Sequence, residues 1–192
     1  MKVVYVSYPP SEGNDVPASA DNALGLRPYL ESQGHTLVTT TDTGDELDRE
    51  LADTEVLITT PFWPVYLDDD RLKRAEDLRL VITAGIGSDH TDPEAAKAHG
   101  VTVAEVTGSN VVSVAEHNVL QILALVRNFV PAHTEARDGG WDVAKIAGPS
   151  HDLEGKTVGI VGLGAIGART ALRLKGFDVR MLYYANHRRT AG

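Results

Sequence analysis

Gly162-Leu163-Gly164-Ala165-Ile166-Gly167 is the segment whose residue types and spacing point most clearly to chemistry, and that chemistry is phosphate binding. The spacing G-x-G-x-x-G carries meaning only between a strand and a helix. Here an apolar run at 156–161 precedes it, and 165–175 has helical spacing. In that setting the first glycine permits a tight turn. The second lets a pyrophosphate approach the backbone, and the third lets helix and strand pack closely. Free N–H groups at the helix start then receive the negative charge. The alternative is a glycine-rich turn that binds nothing.

About 20 residues beyond such glycines, an NAD site usually presents an Asp or Glu to the ribose 2′-hydroxyl. The matching strand end reads Tyr183-Tyr184-Ala185-Asn186-His187-Arg188-Arg189, without an acid. Losing the carboxylate removes repulsion toward a 2′-phosphate, and Arg188 or Arg189 can pair with one bidentately. This predicts NADP(H) use; the alternative is a set of solvated residues. Cofactor contacts are expected at Gly162, Gly164, Ala165, Ile166, Gly167, Ala185, Asn186, His187 and Arg188. Asp89-His90 suggests a carboxylate–imidazole pair, though such neighbours more often cap or solvate a loop. His117, on a helical pattern, reads as structural.

The elements that position these residues alternate. Strands are expected at 3–6, 36–40, 55–60, 78–83 and 101–106, from their β-branched apolar content. Helices are expected at 22–32, 45–52, 68–77 and 92–99. The last opens on Asp92-Pro93, a cap followed by a first-turn proline. Pro28 is tolerable only near the first turn of its helix. Five strands alternating with helices imply a parallel sheet covered on both faces, with flavodoxin-like layering. A long helix is expected at 113–130, with Ala115, Val119, Ile122, Val126 and Phe129 on one face, a Ser113–Glu116 capping box, and Pro131 as its stop. An irregular arm follows over 138–150. Strand 156–161, helix 165–175 and strand 179–184 then form one βαβ unit of a Rossmann type.

Composition narrows the class. The 192 residues are 42% hydrophobic and 23% charged, which fits a globular α/β protein and excludes a disordered or fibrous chain. There are 18 Lys and Arg against 27 Asp and Glu, a net charge of −9, which argues against nucleic acid or an anionic membrane as partner. With no cysteine, disulfides, cysteine-ligated metals and a thiol nucleophile are excluded. No signal-peptide pattern or apolar run of spanning length is present, so a cytosolic location is expected.

Further strings narrow it again. They are Thr83-Ala84-Gly85-Ile86-Gly87-Ser88-Asp89-His90, the run from Ala104 through Gly108-Ser109-Asn110-Val111-Val112-Ser113 to Glu116, Pro61-Phe62-Trp63-Pro64, and Leu125-Val126-Arg127-Asn128-Phe129. With these the chain resembles the NAD(P)-dependent formate dehydrogenases, a branch of the D-2-hydroxyacid dehydrogenase superfamily, from about residue 23 to about residue 188.

The resemblance implies a substrate domain over 1–110 and a dinucleotide-binding Rossmann domain over 111–192, the latter including a long helix and dimerisation arm at 113–150. It implies that formate gives a hydride to the nicotinamide and leaves as carbon dioxide. Ile86 and Asn110 are then expected to line the formate pocket, and Pro61 with Phe62 to close it. Taken alone, Ile86 and Phe62 also read as core residues and Asn110 as a helix cap. The family's catalytic Arg and His lie beyond the second strand of the cofactor domain, so the chain is expected to be an N-terminal portion, inactive alone. The intact parent is expected to be a homodimer. One departure is Ala165, where many of these enzymes carry an Arg. A fragment of a D-2-hydroxyacid dehydrogenase and a non-catalytic dinucleotide-binding module remain the alternatives.

Overall fold

Val3, Val4, Tyr5 and Val6 are buried because their strand runs through the middle of a parallel sheet, with neighbours on both sides. The computed structural model describes residues 1–9, 25–61, 63 and 65–187. Phe62, Pro64, Arg188, Arg189, the start of the helix expected at 22–32 and most of the preceding loop lie outside the described residues. The chain divides into two compact units, Met1–Thr107 and Gly108–Gly192, so the boundary falls slightly before the expected one at 110–111.

In the first unit the elements alternate: β1 (Lys2–Val6), α1 (Leu26–Ser32), β2 (Thr36–Thr40), α2 (Asp45–Leu51), β3 (Val56–Thr59), α3 (Asp69–Arg74), β4 (Leu80–Thr83), α4 (Pro93–Ala98) and β5 (Thr102–Glu105). The strands are parallel in the order β2-β1-β3-β4-β5. That is the flavodoxin-like doubly wound order, as the alternation of elements implies. Leu57 and Val81 sit side by side in the ladder and are fully buried, in a core shared with Leu47 and Leu51 of α2. A smaller cluster of Val3, Tyr5 and Leu37 covers part of the other side.

Local chemistry explains the helix ends. The Asp92 carboxylate accepts from the N–H groups of Glu94 (2.9 Å) and Ala95 (3.0 Å), with Pro93 as the first helical residue. Asp68 likewise caps α3 by accepting from the N–H of Arg71 at 2.8 Å. That helix stops at Arg74 rather than near 77, because Ala75 leaves helical geometry at ψ 64°. Pro28 is the third residue of α1, where no intrahelical N–H is needed.

The second unit holds α5 (Val111–Val126), α6 (Phe129–Arg137), α7 (Val143–Ala147), β6 (Thr157–Val161), α8 (Ala165–Leu174), a short 3₁₀ turn (Lys175–Phe177) and β7 (Arg180–Tyr184). β6 and β7 pair in parallel, giving the expected βαβ unit. Asn118 of α5 donates to the Thr170 hydroxyl of α8 at 3.2 Å, and Arg173 pairs with Glu116 at 3.0 Å.

The long helix differs from expectation at both ends. It starts at Val111 behind Asn110, so Ser113 is helical and makes no capping box. It stops at Val126 because Asn128 adopts a left-handed φ of 52°, which Asn tolerates better than most residues. Pro131 ends nothing. It lies in the first turn of α6, where its missing N–H costs no helical bond. The segment at 138–150 is not wholly irregular either: Asp142 accepts from the N–H of Lys145 at 3.0 Å and starts α7.

Candidate functional site

Most of the described candidate residues gather at the carboxyl ends of parallel strands in two places, one in each unit. The first follows β6. Gly162 has φ 90°, a conformation other residues rarely adopt, and its N–H donates to the carbonyl of Tyr184 at 2.8 Å. The turn is thereby tied to the end of β7. A Cβ on Gly167 would strike the carbonyl oxygen of Gly162, so only glycine lets α8 start this close to β6. A Cβ on Gly164 would meet nothing within 4 Å. The space above that residue is open, which is the property a bulky anion needs.

Between the turn and the end of β7 lies a cavity of about 390 Å³. Gly162 and Gly164 line it from one side, and Tyr184, Ala185, Asn186 and His187 from the other. Ala165, Ile166 and Gly167 form the first turn of α8, whose N–H groups lack helical acceptors. Ile166 and Gly167 line a different space, against α5 and β6. Arg188 lies outside the described residues. The donor set is backbone N–H without a carboxylate among the described lining residues, so the cradle fits the pyrophosphate of a dinucleotide.

The second turn follows β4 in the first unit. Thr60 and Trp63 pair across a tight antiparallel bridge, which presents Pro61 at its tip. The Trp63 indole N–H donates to the Thr41 carbonyl at 3.1 Å and ties this segment to the end of β2. Pro61 packs on Gly85: a Cβ there would lie 2.7 Å from the Pro61 Cγ. Pro61, Tyr66, Ile86, Gly87, Asp89 and His90 together line a cavity of about 250 Å³. Ile86 is 37% exposed, so it is no core residue. Its neighbour is held from β5: the Gly87 N–H donates to Glu105 Oε2 at 2.8 Å.

Pro61 and Ile86 thus share one cavity, while Phe62 lies outside the described residues. Asn110 belongs to the second unit, as the exposed residue before α5, and its side chain makes no capping bond. The Asp89-His90 suggestion needs correction. His90 is buried and its ring bonds the hydroxyl of Thr59, not Asp89. Burial pushes the His90 pKa below the ordinary range, opposed by Asp89. His117 is exposed on α5, beside Gln121 at 2.9 Å. Thr59, Tyr66 and Glu105 were not legible as site residues. One signal was available: Thr59 and Thr83 each end an apolar strand.

Residues 119–192 match the model of the D-isomer specific 2-hydroxyacid dehydrogenase NAD-binding domain. A formate dehydrogenase of Chaetomium thermophilum is 57% identical, over 97% of this chain and 53% of the relative. A formate dehydrogenase of a Pseudomonas species is 50% identical, over 88% of this chain and 43% of the relative. The NAD-dependent formate dehydrogenase of Staphylococcus aureus, solved in complex with NAD, superposes with TM-score 0.86 at 41% identity, covering 97% of this chain and 56% of that one. The chain spans about half the length of the curated relatives it matches. The parallel sheet and the glycine cradle, together with the match over 119–192, place the chain in the D-2-hydroxyacid dehydrogenase superfamily. Within that class, the chain belongs to the formate dehydrogenase family.

Proposed function

We propose that this chain is the part of an NAD(P)-dependent formate dehydrogenase that holds the cofactor pyrophosphate and walls the formate pocket. The observation that carries the reading is the glycine turn after β6, closed at Gly167 and open at Gly164, in a chain 57% identical to a formate dehydrogenase. Bound nicotinamide supplies the hydride acceptor. That acceptor would take the hydrogen of formate with its electron pair and leave carbon dioxide, so no residue of this chain has to abstract a proton. The protein's task is then orientation and electrostatic support. N–H groups of the 162–167 turn hold the pyrophosphate. Pro61, Phe62 and Ile86 keep the formate site dry, which strengthens each polar contact to the anion. Asn110 donates its amide to a formate oxygen.

NADP(H) acceptance is part of this reading, supported by Ala185, Asn186 and His187 at the end of β7, where no carboxylate repels a 2′-phosphate. So is a homodimer, supported by the exposed Leu125, Phe129, Val130 and Trp141 around α5 and α6. A cytosolic location fits the absence of cysteine. Among the described residues no helix is long and apolar enough to cross a membrane.

The test is formate-dependent reduction of NAD⁺ and NADP⁺ by the complete product of the gene, followed by absorbance. Turnover is expected with formate and not with glycerate or lactate. Ala185→Asp should shift the preference toward NAD⁺ by about tenfold, the effect of ~1.4 kcal/mol. Turnover of 2-hydroxy acids alone would overturn the reading. Residues 1–192 by themselves should bind dinucleotide without turnover, because none of them matches the family's catalytic Arg or His. Sedimentation as a monomer at micromolar concentration would remove the homodimer.

A further inference from the structure

The segment carrying Pro61 and the segment carrying Ile86 are joined at one buried residue. The His90 Nε2 lies 2.8 Å from the Thr59 hydroxyl and 3.4 Å from that of Thr83. Thr59 and Thr83 end β3 and β4, face each other in the ladder, and are fully buried. The main chain makes a second attachment. The His90 carbonyl accepts from the Leu67 N–H at 2.9 Å, and the Leu67 carbonyl accepts from the Asp92 N–H at 3.0 Å. Leu67 is buried and closes the segment that starts at Pro61. One lining residue is therefore tied to the strand ends through its ring and to the Pro61–Leu67 segment through its backbone.

A buried imidazole is a costly way to fill space, since an aliphatic residue needs no hydrogen-bond partner. What it adds is direction: its bonds hold only at one distance and angle from the two hydroxyls. Charge is not its contribution. Burial favours the neutral ring, against the opposing effect of Asp89, so the ring is not a cation awaiting an anion.

We infer that His90 is a positioning residue: by seating its ring on Thr59 and Thr83 it sets the separation of Pro61 and Ile86, and so the size of carboxylate the pocket admits. The inference rests on reading this cavity as part of the formate site. It goes beyond that reading in naming what fixes the pocket's width.

The experiment uses the complete gene product and reads KM for formate, kcat, and the inhibition constant of acetate, which is one carbon larger. His90→Ala should raise the formate KM about tenfold and leave kcat within about threefold. The acetate inhibition constant itself should fall about threefold, because the widened pocket accepts the larger carboxylate. His90→Gln places an amide nitrogen near the position of Nε2 and should restore both values toward those of the wild type. Thr59→Val removes the hydroxyl while keeping the shape, and should repeat the KM rise; with His90→Gln it decides the matter if His90→Ala does not fold. Unchanged KM and acetate inhibition in His90→Ala and Thr59→Val would overturn the inference, as would a His90→Gln variant no better than His90→Ala. If the wild-type protein does not oxidise formate, the functional reading itself has failed. If it does and these variants behave as wild type, only the positioning role has failed.

Discussion

The turns after β4 and β6 stand at equivalent places, each at the carboxyl end of a parallel strand, yet they are built in opposite ways. After β4, Gly85 is covered by the Pro61 ring, and the working surface is made of side chains. After β6, Gly164 faces open space, and the working surface is made of backbone N–H groups. The first arrangement shapes a small cavity walled largely by side chains, Pro61, Tyr66, Ile86, Asp89 and His90 among them. The second offers charge recognition that any residue with a free N–H can supply, provided the glycines permit the turn. The two turns thus differ in what faces the adjacent cavity: side chains after β4, and mostly main chain after β6.

That contrast breaks most visibly at Gly167. A methyl group there strikes the Gly162 carbonyl, so Gly167→Ala must move α8 away from β6. Dinucleotide affinity, measured by quenching or calorimetry, should fall about a hundredfold, or ~2.7 kcal/mol. Retained affinity would mean that the turn is not the cradle. Gly85→Ala acts on the other turn. Its methyl group would overlap Pro61, and such overpacking costs about 1–3 kcal/mol, read as a lower Tm.

Side-chain truncation sharpens the difference. Ile86→Ala should raise the formate KM about tenfold, because a wall of the pocket is lost. Leu163→Ala, within the backbone-built turn, should change dinucleotide affinity by less than about twofold. Equal effects of the two would erase the distinction.

The smallest expected effect is on pH dependence. Unfolded, His90 takes up a proton as pH falls through about 6.5. Folded, its pKa lies below that value because of burial, so the native state resists protonation. The stability that the neutral buried ring confers is complete above about 6.5 and is lost as pH falls toward the lowered folded value. The Tm of the wild type should therefore drop more than that of His90→Gln between about pH 7.5 and pH 5.5. Parallel Tm profiles would remove His90 as the titrating group.

The same contrast explains what could be read from the sequence. The backbone-built turn was legible in the residue string, because its requirements fall on glycines at fixed spacing between strand and helix. The parallel, flavodoxin-like layering was legible too, from strands alternating with helices and from caps such as Asp92-Pro93. The side-chain cavity was not legible from spacing. Pro61 and Ile86 are 25 residues apart in sequence and meet only because β3 and β4 are neighbours. Their candidacy came from family resemblance. His90 pointed the wrong way, since adjacency to Asp89 says nothing of a ring that turns inward to Thr59. The helix break at Asn128 was hidden for a different reason: the proline three residues later was the stronger-looking stop, yet a left-handed residue ends a helix just as well.

Transfer of the formate hydrogen tests the central claim most directly. The complete gene product is incubated with deuterated formate and oxidised cofactor, and the reduced cofactor is weighed by mass spectrometry. Direct hydride transfer from formate to the cofactor predicts one deuterium in each reduced cofactor molecule. Reduction without deuterium, or no reduction at all, would contradict it.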